Sequence, residues 1–213
     1  VGFVWVNGGT SMCTGTLVGA QTVLTAAHCV DGLKGVKIEF KLANSVTAKI
    51  DAADTYGVQD FDLPTDVSSG LAFDDLIYAD DVALLFLDRP VIDPSDPAHA
   101  RPLAPIHIHN GSPALSSLGS QKLLFIGYGY SKLVPGPVLT PLATGEKRSV
   151  LMSVFASSRK TFRNKAVGQN TCRGDSGGPA LLLGQPGGPM IIGIVSSGDS
   201  YCIDYANNTR MDA

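Results

Sequence analysis

An all-β fold is what this sequence predicts, and three observations carry the expectation. The apolar runs are short, turn-forming residues interrupt them at close intervals, and no convincing amphipathic stretch of ten or more residues has helical spacing. The chain has 213 residues, of which 24 are glycine and 13 proline. That is about a sixth of the chain, a frequency that favours many tight turns. The first strand is expected over Val1–Val6 and ends in the turn-forming Asn7-Gly8-Gly9. Further strands are expected over Thr14–Val18, Thr22–Thr25, Val36–Leu42, Val82–Leu87, Lys122–Ile126, Val150–Phe155, Ala180–Leu183 and Met190–Ser196. Most run four to seven residues, and several are rich in β-branched side chains, which suits a pleated surface.

The window Asp88–Ser120 has few strand-like runs and six prolines, Pro90, Pro94, Pro97, Pro102, Pro105 and Pro113. It reads as a connector between two halves, here taken as 1–108 and 109–213. No fixed-period repeat and no low-complexity tract interrupts this organisation.

Composition narrows the function classes. With 44% hydrophobic and 16% charged residues, a packed core is expected and disorder is not. The net charge of -3 is too small to argue for nucleic acid or a membrane surface as partner. No apolar run approaches the roughly 18 residues of a spanning helix, and no leader of basic then apolar residues begins at Val1, so the chain reads as soluble. Four cysteines, Cys13, Cys29, Cys172 and Cys202, form an even set with none in a CxxC pair. Two disulfides in an oxidising compartment is the preferred reading, secreted or periplasmic. Four buried thiols is the bland alternative. A zinc site lacks close-spaced ligand pairs, and His107-x-His109 offers two ligands without a nearby third.

Three short motifs carry chemistry. The first is Cys172-Arg173-Gly174-Asp175-Ser176-Gly177-Gly178-Pro179. A serine hydroxyl is a weak nucleophile and needs an exposed position on a sharp turn beside a base. Glycines around it permit that turn and let backbone N–H groups approach a substrate carbonyl. Taken as G-x-S-x-G alone, the run also matches the nucleophile elbow of an α/β-hydrolase, which needs its histidine after the serine. All four histidines, His28, His99, His107 and His109, precede Ser176, so that alternative fails.

The second motif is Leu24-Thr25-Ala26-Ala27-His28-Cys29, which places an imidazole among small residues and beside a cysteine. Imidazole takes and returns a proton near neutral pH without large perturbation. A buried structural histidine is the competing reading. The third is Asp80-Asp81-Val82-Ala83-Leu84-Leu85, a carboxylate entering an apolar strand, costly to bury unless hydrogen-bonded. Either acid read alone is a solvated loop residue.

Together these segments resemble the trypsin-like (chymotrypsin-fold) serine proteases, over nearly the whole chain. Thr25–Cys29 looks like the family's histidine motif and Cys172–Pro179 like its serine motif; Asp81, directly before Val-Ala-Leu-Leu, matches its acid better than Asp80. The order His28, Asp81, Ser176 is the family's order. Gly127-Tyr128-Gly129, with Tyr where the family usually has Trp, and Gly193–Gly198 are weaker matches.

The resemblance implies two packed six-stranded β-barrels with the active site in the cleft between them. It also implies a serine endopeptidase that forms an acyl-enzyme. In it His28 is the base, Asp81 its orienting partner, and the backbone N–H groups of Gly174 and Ser176 the oxyanion hole. Cys13 would pair with Cys29 and Cys172 with Cys202. Counting from Ser176 puts Asn170 on the floor of the substrate side-chain pocket and Ser196, Ser197 and Gly198 along its wall. Asn170 stands where trypsin-like members carry Asp, so uncharged side chains are expected in the pocket. Asp199 is the one nearby acid that would favour basic ones if it points inward. The expected partners are a peptide or protein substrate and protein protease inhibitors, acting on a monomer, with no metal or organic cofactor.

Twelve residues precede Cys13, too few to reach the amine that usually pairs with the acid before the serine. Asp175 is therefore expected to pair internally with a Lys, an Arg or backbone donors. Eleven residues follow Cys202, leaving no room for the family's closing strand and terminal helix. An esterase-leaning hydrolase on the same scaffold is the second reading, and an inactive homologue acting as a binding module the third. A binding module has no need of all three catalytic residues.

Overall fold

The structure, a computed structural model, describes residues 1–8, 11–31, 33, 37–42, 55–62, 81–95, 98–99, 101–111, 122–134, 140–142, 145–166 and 168–211. Asp80, and Val36 at the start of the fourth expected strand, lie outside the described residues.

The first six strands are β1 (Gly2–Val6), β2 (Ser11–Leu17), β3 (Thr22–Thr25), β4 (Ile38–Lys41), β5 (Thr55–Asp62) and β6 (Ala83–Leu87). They close into a barrel in the order β1-β2-β3-β6-β5-β4. The period-2 pattern is plain in β6, where Ala83, Leu85 and Leu87 are buried and Leu84 and Phe86 only partly so. Val4, Val23, Phe40 and Leu85 are fully buried in its core.

The remaining strands are β7 (His107–Ile108), β8 (Lys122–Gly127), β9 (Lys132–Val134), β10 (Thr140–Leu142), β11 (Arg148–Ser157), β12 (Thr161–Lys165), β13 (Pro179–Leu182), β14 (Met190–Gly198) and β15 (Ala206–Arg210). The order β13-β8-β11-β12-β15-β14, closed by pairing of β13 with β14, makes the second barrel. β7 joins it as an extra strand, parallel to β14. β9 and β10 form a separate two-stranded ribbon. All nine expected strands are present, Thr22–Thr25 with both ends unchanged and the others with ends matching or shifted by up to three residues. Leu181, Ile191 and Ile194 of the second barrel belong to the same buried cluster as the first barrel's core, so the two barrels meet through apolar side chains.

Six strands were not expected. Two of them, β12 and β15, are built from polar sequence, TFRNK and ANNTR. Burial of polar side chains is tolerated when they bond one another. Asn208 donates to the Phe162 carbonyl (3.2 Å) and to the Asn164 side chain, while Asn164 donates to the Met152 sulfur (3.1 Å).

Both disulfides form, Cys13–Cys29 and Cys172–Cys202, closing loops of 16 and 30 residues. By the chain-entropy estimate each contributes about 3 to 4 kcal/mol. The first ties β2 to a single 3-10 turn, η1 (Ala27–Cys29), which carries His28.

Candidate active site

His28 and Asp81 sit at the first barrel's rim, on η1 and two residues before the start of β6. Pairing of β3 with β6 places Thr25 opposite Ala83, which brings the two segments together. The Asp81 carboxylate then makes three bonds. One oxygen accepts the His28 backbone N–H (2.9 Å); the other accepts His28 Nδ1–H (2.7 Å) and the Ser196 hydroxyl (2.6 Å). Burial pushes the Asp81 carboxyl up, but the His28 hydrogen bond and charge, with help from Ser196, outweigh it and hold the group below the usual carboxylate range. A carboxylate can only accept here, so Nδ1 carries the imidazole proton and Nε2 is the basic nitrogen.

The segment around Ser176 is fixed from both barrels. Thr14 of β2 takes the Ser176 carbonyl with its N–H (2.8 Å) and the Gly174 carbonyl with its hydroxyl (2.9 Å). From the second barrel, the Val195 carbonyl accepts Gly177 N–H (2.7 Å). Gly177 has φ +79°, and a Cβ there would strike the Thr25 hydroxyl, so glycine is required. The Ser176 hydroxyl lies 3.5 Å from the Ser196 carbonyl, a long contact that holds it loosely.

Cys172–Asp175 form a turn closed by Asp175 N–H to the Cys172 carbonyl (2.9 Å), with Gly174 at φ +93° in its third position. These are the features of a type II turn. The Arg173 carbonyl is turned onto Tyr130 N–H (2.9 Å). Because the peptide is trans and planar, Gly174 N–H faces the opposite way.

Asp175 is partly buried and pairs with backbone donors, Gly129 N–H (2.8 Å) and Cys172 N–H (2.7 Å). Burial pushes its carboxyl up to about 6, against those two bonds and the charge of Arg148. The Gly-Tyr-Gly pattern has its explanation here. A Cβ at Gly127 would strike the Asp175 carboxylate, and one at Gly129 would lie 2.6 Å from the Arg173 carbonyl. Tyr128 between them is fully buried, edge-on to Phe3 with ring centroids 5.9 Å apart.

Ser176, Ser196, Ser197 and Gly198 line one cavity of about 480 Å³, with Asp199 also in its wall. Asn170 does not line it. That side chain belongs to a neighbouring cavity of about 410 Å³, which holds Asp175 and Arg148 and shares Thr171, Cys172, Tyr201 and Cys202 as a common wall. The Asp199 carboxylate is taken up by the loop behind it, accepting N–H bonds from Tyr201, Ile203, Asp204 and Tyr205 at 2.9 to 3.3 Å. Burial raises its pKa, but these bonds outweigh that and lower it. The Cys13, His28 and Cys29 donor atoms cluster, yet both sulfurs are spent in a disulfide and offer no thiolate ligand.

Two features of this site escaped the sequence reading. The Thr14 strap bonds a residue 160 positions away and has no local signature. The pairing of Tyr130 with Arg173 is equally remote. The glycines around Tyr128 were the one available signal, since both are needed for close approach.

The family model for trypsin matches residues 1–209, and the chain belongs to that family. Its relatives include a snake venom "Protein C activator" of Agkistrodon contortrix contortrix, 28% identical over 93% of this chain and 78% of that protein. "Snake venom serine protease Haly-2" of Gloydius brevicauda is 30% identical over 89% of this chain and 68% of its own length. "Thrombin-like enzyme CPI-enzyme 2" of Gloydius ussuriensis is 29% identical over 90% and 69%. Among the described residues, no helix is long and apolar enough to cross a membrane.

Proposed function

We propose that this chain is a secreted serine endopeptidase, with 1–108 and 109–213 supplying the two sides of its cleft. The observation that carries the proposal is the Asp81 carboxylate bonded at once to His28 Nδ1, the His28 backbone and Ser196. That arrangement leaves Nε2 as the base. His28 removes the Ser176 proton as the hydroxyl attacks the substrate carbonyl, then gives it to the leaving amine. Asp81 keeps the imidazole in one tautomer and stabilises its charged form. The Gly174 and Ser176 N–H groups receive the developing oxyanion, each contributing about 3 kcal/mol to the transition state. The turned-away Arg173 carbonyl supports the Gly174 assignment. Water then hydrolyses the acyl-enzyme.

For specificity, the cavity beside Ser176 receives an uncharged side chain. Asp199 is occupied by backbone donors, and Arg173 and Asp204 stand opposed at the exposed rim. Asn170 lies in the adjoining cavity and brings no countercharge. Burying an ammonium or guanidinium without a partner is strongly unfavourable. A panel of short peptide esters differing only at that side chain tests this: apolar and amide-bearing members are expected to give the highest kcat/KM. A maximum at Lys or Arg overturns the specificity reading while leaving the triad intact.

A further inference from the structure

We infer that the outer face of the second barrel carries a docking site for an acidic, apolar-bearing segment of a protein substrate, beside the Ser176 cavity. The inference rests on the endopeptidase reading for the word substrate, but not for the binding itself.

Three observations converge on this face. Of the six large apolar side chains left exposed among the described residues, three line one cleft: Leu151 (48%), Phe155 (48%) and Ile203 (56%). On β11 the inward positions are Val150, Met152 and Val154, so the strand is apolar on both faces, and its core does not account for Leu151 and Phe155. Exposed apolar side chains gathered in a cleft with a polar rim mark interaction sites. Second, β11 departs from regular register between Val154 and Ala156, which leaves Phe155 as the bulged residue. Bulges re-aim side chains next to functional sites. Phe155 is held there by Lys165, whose Nζ lies 4.9 Å from the ring centroid.

Third, charge is placed across the cleft. Ser153 is in register with Lys122 of β8 on one side and Lys165 of β12 on the other. Two exposed lysines thus flank one hydroxyl, on a chain whose net charge is negative. The two lysines stand two strand spacings apart, about 10 Å at the backbone, so their long side chains can bring both ammonium groups onto one carboxylate or two neighbouring ones. Among the described residues Asp204 is the only acid in the cleft wall, and it also lines the Ser176 cavity, as does Tyr205. The two sites are therefore contiguous, with the acid at their junction and the lysines at the far side. A bound segment places its carboxylates at Lys122 and Lys165, sets an apolar side chain on Leu151 and Ile203, and runs towards Ser176.

The test uses the Ser176→Ala protein, so that cleavage does not interfere, and a fluorescein-labelled peptide of alternating glutamate and leucine. Anisotropy should show saturable binding that weakens with added salt, as exposed charge pairs do. The surface variants Lys122→Glu/Lys165→Glu and Leu151→Ser/Phe155→Ser should each weaken it tenfold or more. Neither pair should alter hydrolysis of short esters when Ser176 is restored. Binding absent or unchanged in both variants overturns the site, as does equal binding of a lysine–leucine peptide. Light scattering that shows a dimer, lost in the Leu151→Ser/Phe155→Ser variant, assigns the face to a second copy and overturns it too.

Discussion

Ser176→Ala, His28→Ala and the double variant should each lose about a million-fold in kcat, and the double variant no more than either single one. The reason is that neither group does anything useful alone. Without His28 the hydroxyl proton has no base to take it, because the Ser196 carbonyl that the Ser176 hydroxyl faces is an amide oxygen, far too weakly basic to accept a proton outright. Without Ser176 the imidazole has nothing to activate. The residual rate would come from the N–H groups of Gly174 and Ser176 and from substrate positioning. Steady-state and single-turnover assays of the three proteins check this; losses that multiply would show that the two side chains act independently.

Asp81→Asn should lower kcat about ten-thousand-fold while leaving the fold in place. The backbone N–H of His28 keeps an amide oxygen to bond, and the volume of the side chain barely changes. The imidazole fares differently. Its Nδ1 faces an amide N–H₂ that donates, so the tautomer with the proton on Nε2 is favoured and the base is lost. The Ser196 hydroxyl, now without a carboxylate 2.6 Å away, loses its strongest acceptor as well. Asp80→Asn should be mild by comparison. Measuring kcat for both variants beside their melting temperatures separates orientation from stability. A severe Asp80→Asn with a mild Asp81→Asn would put the wrong acid in the triad.

The motifs of the candidate site stood out in the sequence more sharply than the individual strands around them, and the difference is physical. Cys172–Pro179 and Leu24–Cys29 are dense in residues whose backbone roles are local: glycines for sharp turns, cysteines and small side chains for fixed position. Such roles survive being read one segment at a time. β15 was missed because Asn and Arg are poor strand formers when judged alone. It exists because Asn207, Asn208 and Thr209 find partners on β12 and β14, which only the closed barrel supplies. Asn170 shows the same limit within the site. Counting back from Ser176 locates its place in the chain, but not which of the two adjoining cavities it lines, which is the one that also holds Asp175. The Asp88–Ser120 connector was read as having few strand-like runs, yet two of its residues form β7 and pair with β14 through backbone groups alone.

The central claim is that Ser176 is a nucleophile activated by His28, and covalent labelling tests it most directly. A fluorophosphonate phosphonylates an activated serine by attack of the serine oxygen on phosphorus with loss of fluoride. Mass spectrometry of the treated protein should find a single adduct, on the peptide containing Ser176, absent from Ser176→Ala and slowed at least a thousand-fold in His28→Ala. No adduct on the folded protein, or an adduct on a different serine that persists in Ser176→Ala, would contradict the account.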